Sequence, residues 1–160
     1  MIESEFKVML TEEQYEKIHE IMLKNGFTFK QESAHEYIYR IEPAIVIELH
    51  KSLVPDYNHD LYEYYADNWS FAKNKEDYNH IFEMSDEDFY IYNIVHCAKH
   101  YLNSGIGFRY IIDIWLLKEQ LEIDMNYVNE QLEKLGLVKF HSIITKLSEA
   151  WFCEGEHNDL

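Results

Sequence analysis

The hydrophobic pattern of this chain changes at Ser85, and this change restricts the fold to an α+β arrangement. Before Ser85, short apolar and alternating runs are typical of strands, and one stretch has helical spacing. After Ser85, apolar residues recur at helical intervals in four segments separated by breaks. We therefore predict a mixed sheet with one capped helix in residues 1–84, and a four-helix portion packed on it in residues 85–160.

Cap and turn signals indicate where these elements begin and end. Thr11 and Gln14 form a capping-box pattern that begins a helix, and Gly26 ends it because glycine tolerates a positive φ. Ser85 caps the first C-terminal helix, with acidic residues in its first turn. Residues 56–73 are expected to be an irregular connection with a short helix. The predicted strands are 2–10, 27–30, 36–41, 44–50 and 80–84, and the predicted C-terminal helices are 85–103, 107–120, 124–136 and 137–153.

The chain is strongly acidic, with a formal net charge of −16 over 160 residues. Such a surface repels phosphate backbones, so we expect no nonspecific binding to nucleic acid. An anionic nucleotide would need a divalent metal or a few well-placed cations. The sequence shows no signal peptide and no membrane-spanning run, and its two cysteines lack zinc or disulfide spacing. These features predict a cytoplasmic protein.

Glu48 is a single carboxylate within the apolar run Ile45–His50. Burying a carboxylate is costly unless it is paired or bound to a metal, so Glu48 is a candidate metal ligand. Simple alternation is the other interpretation, in which Glu48 and His50 both lie on the solvent face of the strand.

A second alternating pattern opens the chain, where Glu3, Glu5 and Lys7 would share one face of a strand. The pattern matches the opening of triphosphate tunnel metalloenzymes. That fold requires a barrel of many strands, whereas this chain becomes helical after Ser85.

Two helical pairs in the C-terminal half are further candidates. His96 and His100 are four residues apart, so both imidazoles lie on one helical face. They could be structural, line a substrate pocket, or bind a metal with Asp113 as a third ligand. Arg109 and Asp113 have the same spacing and form either an ordinary ion pair or a contact for a phosphate or carboxylate.

Together these segments resemble a family of uncharacterised nucleotidyltransferases of the clostridial type. The resembling stretches are Tyr15–Gly26, His35–Pro55, Phe89–Leu117 and Leu135–Phe152, and the most specific motifs are IELHKSLVP and HxxKH…GIGxRxxxDxW. The resemblance implies a nucleotidyltransferase-like sheet with helices behind it. It also implies Mg²⁺- or Mn²⁺-dependent transfer of a nucleoside monophosphate from NTP to an unknown small-molecule or protein acceptor.

The family's site consists of a Gly-Ser helix start, an Asp-x-Asp element and an acid on a later strand. Glu48 matches the later acid, as catalytic residue and metal ligand, and Glu5 matches one Asp-x-Asp position as a second ligand. Lys7 occupies the other position and cannot bind a divalent cation. We therefore expect an N-terminally incomplete or degenerate member with impaired transfer. The resemblance implies substrate-binding roles for His50, His96, His100, Arg109 and Asp113.

A noncatalytic module derived from the same family is the alternative function. Such a module would bind a nucleotide or a protein partner without turnover. A truncated sheet with an exposed edge could also pair with a second copy of the chain to form a homodimer.

Overall fold

The computed structural model describes residues 7–9, 11–33, 36–43, 45–56, 59–75, 78, 81–103 and 105–153. Across these residues the chain is α+β, as predicted, with its main sheet in the first part and four consecutive helices in the last. The chain divides into two compact units, Met1–Asn68 and Trp69–Leu160. The boundary at residue 84 and the packing of the helical portion on the sheet remain predictions.

The first unit contains a four-stranded mixed sheet with the strand order β1-β4-β3-β2. Strand β1 is parallel to β4, and the β4-β3 and β3-β2 pairs are antiparallel. The predicted mixed sheet is therefore confirmed. Among the described residues, the ends of its strands lie within a few positions of the predicted ends. The elements are β1 (Lys7–Met9), α1 (Glu12–Lys24), β2 (Thr28–Glu32), β3 (Glu36–Ile41), β4 (Ile45–His50) and α2 (His59–Tyr64).

Local hydrogen bonds fix both ends of α1. The Thr11 backbone N–H donates to the Gln14 side chain at 3.0 Å, which is the predicted capping-box contact. Gly26 follows the helix with φ 86°, and the Phe27 N–H donates to the Met22 carbonyl at 3.0 Å. This bond satisfies a carbonyl group that the helix end leaves without an intrahelical partner.

One face of the sheet forms an aromatic core with α1. Tyr37, Tyr39 and Leu49 are buried there, and partly buried side chains of α1 and β4, together with Phe27, surround them. Tyr15 of α1 stacks on Tyr37 with ring centroids 3.6 Å apart, and His19 Nδ1 lies 2.6 Å from the Tyr39 hydroxyl. Since successive residues of a strand point to opposite faces, the alternate positions of β3 and β4 lie on the other face.

The second unit begins with short elements and continues as four helices. Ser85 Oγ accepts a hydrogen bond from the Asp88 N–H at 3.1 Å at the start of the first of these helices, as its cap signal predicts. The described residues contain no helix long and apolar enough to cross a membrane. The elements are the 3₁₀ helix Asn68–Phe71, β5 (Lys73–Asn74), β6 (Phe82–Glu83), α3 (Asp86–Asn103), α4 (Phe108–Gln120), α5 (Met125–Lys134) and α6 (Val138–Phe152).

A buried tyrosine–histidine contact joins α3 to α6. The Tyr90 hydroxyl lies 2.9 Å from His141 Nε2, and both side chains are buried. Burial, followed by the charge of Lys118, lowers the pKa of His141, and burial raises the pKa of Tyr90. The folded protein therefore holds His141 in its neutral form to a lower pH than the unfolded chain does.

Lowering the pH from about 7 to about 5.5 should destabilise the wild-type chain more than a His141→Gln variant. The unfolded chain takes up a proton near the ordinary histidine pKa of 6.5, before folded His141 does. This difference removes up to about 1.4 kcal/mol of unfolding free energy per pH unit below that value. Urea unfolding at both pH values measures it, with the exposed His59→Gln as control. If the unfolding free energy of His141→Gln fell with pH as steeply as that of the wild type, His141 would not be the source of the pH dependence.

Candidate functional site

Two adjacent strands bring a histidine and two glutamates to one face of the sheet. Glu48 and His50 alternate along β4, and the antiparallel register pairs Glu36 of β3 directly with His50. Residues paired in this way have neighbouring side chains on the same face. The face is the one opposite the aromatic core, because Tyr37, Tyr39 and Leu49 occupy the intervening positions.

The three side chains lie within the reach of a single ion. His50 Nε2 is 3.5 Å from Glu48 Oε2 and 3.9 Å from Glu36 Oε2. One ligand atom from each residue lies within 4.8 Å of the others. The His50 side chain is 4% exposed, while those of Glu36 and Glu48 are 16% and 27% exposed. Glu48 therefore borders a buried imidazole, and only about a quarter of its side chain meets solvent.

This group, hereafter the Glu-Glu-His cluster (Glu36, Glu48 and His50), has the chemistry of a cation site. Two carboxylates this close repel each other unless a cation or a proton lies between them. The imidazole can serve in either way, as a protonated counter-ion or as a neutral ligand that shares a metal with the carboxylates. Within the described part of the chain, these residues are the group whose ligand atoms could hold a metal.

The strand that precedes α1 lies beside the strand that carries Glu48. The parallel register pairs Lys7 with Glu48 and Met9 with His50. The position at which the family resemblance expects a second acid is thus directly across from the later acid. Glu5, the other predicted metal ligand, lies outside the described residues, and its role stays a prediction.

Glu36 was not predicted from the sequence as a site residue. The short connection between β3 and β4 indicates a hairpin, in which the two strands pair antiparallel. A register that pairs Ile41 with Ile45 necessarily pairs Glu36 with His50 further along. Reading the two strands as one hairpin would have found this third residue.

The predicted histidine pair in α3 is a close contact. Nε2 of His96 and Nε2 of His100 are 3.0 Å apart, so both rings share one helical face as the spacing predicts. Tyr110 of α4 packs on both rings, at centroid distances of 5.8 and 5.2 Å, and Tyr92 stacks on His96. This imidazole and tyrosine cluster joins α3 to α4.

Asp113 does not form a metal group with the histidine pair within the described residues. It lies 3.6 Å from Arg109 in an intrahelical ion pair whose side chains are 67% (Arg109) and 43% (Asp113) exposed. Asp113 and Arg109 thus make the ordinary i, i+4 contact that their spacing allows.

The candidate residues belong to different units of the chain. Glu48 and His50 lie in the first unit, with Glu36, whereas the two helical pairs lie in the second. A common site for all of them remains a prediction.

Comparison with known proteins identifies one family. The family model described as "Uncharacterised nucleotidyltransferase" matches residues 7–153, which is most of the chain. No curated protein and no solved structure gives a match.

The Arg109–Asp113 pair should contribute no more than about 0.5 kcal/mol to stability, because both side chains are exposed. A double-mutant cycle with Arg109→Gln and Asp113→Asn measures this coupling by urea unfolding. The Glu130–Lys134 pair of α5 is the matched control, and its acid-first order should make it the stronger pair. A coupling energy well above about 1 kcal/mol for Arg109–Asp113 would contradict a simple surface ion pair.

Proposed function

The chain belongs to the uncharacterised nucleotidyltransferase family, and from this membership we propose that it binds a nucleoside triphosphate with a divalent metal. The proposed reaction transfers the nucleoside monophosphate to an acceptor, a small molecule or a protein. The observation that carries the proposal is the position of Glu48 on β4, next to β1 in the parallel register. The later acid and the strand expected to carry Asp-x-Asp are adjacent in the sheet.

Glu48 is the proposed catalytic residue and metal ligand, with Glu5 as the second ligand. The partly buried carboxylate of Glu48 suits Mg²⁺ or Mn²⁺, which prefer oxygen ligands. When bound, the metal supplies positive charge that neutralises the triphosphate during in-line attack at the α-phosphate. The contribution of the chain itself is to fix Glu48 on a hydrogen-bonded sheet.

Five further residues are the proposed contacts of the nucleotide or the acceptor. The guanidinium of Arg109 is exposed and can donate to phosphate oxygens in a bidentate manner. A protein with a net charge of −16 needs such local cations to hold an anionic substrate. The proposed set is His50, His96, His100, Arg109 and Asp113.

Lys7 gives the reason to expect slow transfer. It stands where the family resemblance places an acid, and its strand position is paired with that of Glu48. A lysine at this position replaces a metal ligand with a fixed positive charge, which opposes a divalent ion. We therefore propose that this chain still binds a nucleotide but transfers the nucleoside monophosphate slowly.

A noncatalytic interaction module is the second candidate, and the edge of the sheet favours it. Strand β2 is the last strand of the described sheet, and all its residues are exposed. Such an edge offers backbone groups to a strand from a partner or from a second copy of the chain. A homodimer formed through β2 would be consistent with this role.

Thermal unfolding with Mg²⁺ or Mn²⁺, with and without each NTP, tests the proposed function. A ligand present at about 100 times its Kd adds about 2.7 kcal/mol of stability, which should raise Tm by several degrees. Glu48→Gln should abolish the shift, whereas Glu42→Gln, on the adjacent turn and highly exposed, should preserve it. Pyrophosphate, the leaving group of the transfer, should be released slowly even where the Tm shift shows that the NTP is bound. If no NTP changes Tm beyond the effect of the metal alone, the noncatalytic candidate replaces the transferase.

A further inference from the structure

We propose that the Glu-Glu-His cluster is a single-metal site that prefers Mn²⁺ or Zn²⁺ to Mg²⁺ and binds the metal without a nucleotide. The proposal rests on the proposed function only in sharing Glu48 with it. It adds Glu36 and His50 as ligands, and it assigns the first unit a metal of different chemistry from the one that an all-carboxylate site would select.

The spacing of the ligand atoms fits one bound ion. Two atoms that each lie about 2.1 Å from a common metal are about 3.0 Å apart at a right angle and about 4.2 Å apart when opposite. The distances from His50 Nε2 to the two carboxylates, 3.5 and 3.9 Å, fall inside this range. All three ligand atoms lie within 4.8 Å of one another, so small side-chain rotations could bring them to a common ion.

The chemistry of the donors selects the metal. Mg²⁺ takes oxygen ligands almost exclusively and keeps much of its water, so an imidazole nitrogen in the site disfavours it. A mixed set of one imidazole and two carboxylates suits Mn²⁺ and Zn²⁺ instead. Three protein ligands also leave coordination positions open for water or for the oxygen of a substrate.

Burial and charge favour a metal that is held by the sheet itself. The imidazole of His50 is almost fully buried, whereas the two carboxylates keep some exposure, so an ion has a path to the site. A divalent cation would neutralise the two carboxylates and remove their mutual repulsion. All three residues stand on paired positions of β3 and β4, so the backbone already holds them together.

Isothermal titration calorimetry tests the site. The chelator-treated full chain is titrated with Mn²⁺, Zn²⁺ or Mg²⁺ in the absence of nucleotide. We expect one bound Mn²⁺ or Zn²⁺, with Mg²⁺ weaker by at least about tenfold. Glu36→Gln is the critical variant because Glu36 is partly exposed and lies outside the aromatic core. Its Mn²⁺ affinity should fall by about tenfold or more. Glu42→Gln, which removes a charge from the adjacent turn, should bind like the wild type.

His50→Gln supplies a separate test of the imidazole. This variant should lose the preference for Mn²⁺ over Mg²⁺, because only oxygen donors remain around the ion. Circular dichroism of each variant shows whether its fold is intact. A broadening of the His50 ring signals by stoichiometric Mn²⁺ in the wild-type NMR spectrum gives the same assignment without any substitution.

Three results would overturn the proposal. They are equal affinity for Mg²⁺ and Mn²⁺, unchanged binding in Glu36→Gln, and no binding of any metal without nucleotide. Metal binding without any NTP effect would support this site and reject nucleotidyl transfer. An NTP effect that depends on Glu48 but not on Glu36 would support nucleotidyl transfer and reject the three-residue metal site.

Discussion

The antiparallel register between β3 and β4 is the constraint on which the first unit depends. It sends Tyr37, Tyr39 and Leu49 to the face that packs on α1, and it sends the Glu-Glu-His cluster to the other face. A slip of one residue would exchange the two faces of a strand. Such a slip in β4 would turn Glu48 and His50 toward the aromatic core, which makes the correct register strongly favoured. The core and the cluster are therefore two results of a single pairing.

Both units use histidine as a partner for buried tyrosine hydroxyl groups. His19 meets Tyr39 in the first unit, and His141 meets Tyr90 in the second. A tyrosine hydroxyl needs a hydrogen-bond partner when it is buried, and imidazole can donate or accept according to its tautomer. With 13 tyrosines and 9 histidines, the chain fills its interiors with amphipathic rings. A histidine in this sequence is thus weak evidence for a functional site unless carboxylates lie beside it.

Sequence patterns predicted the local parts of the fold and missed the parts that depend on distant partners. The start of α1 at Thr11, its end at Gly26 and the cap at Ser85 were readable because a few neighbouring residues determine each of them. The parallel pairing of β1 with β4 was not predicted, since it joins segments separated by α1 and two strands. Glu48 and His50 were recognised within one strand. Glu36 was missed because its significance comes from the neighbouring strand.

The Glu-Glu-His cluster is contained within a single hairpin, from Glu36 at its start to His50 at its end. Its formation requires the closure of one short turn, and the entropy cost of closing a loop grows with the loop's length. All three side chains therefore come from one continuous segment of the chain, β3 and β4 with the turn between them. Substitutions in β1, the strand paired with β4, would leave these three side chains together on their hairpin.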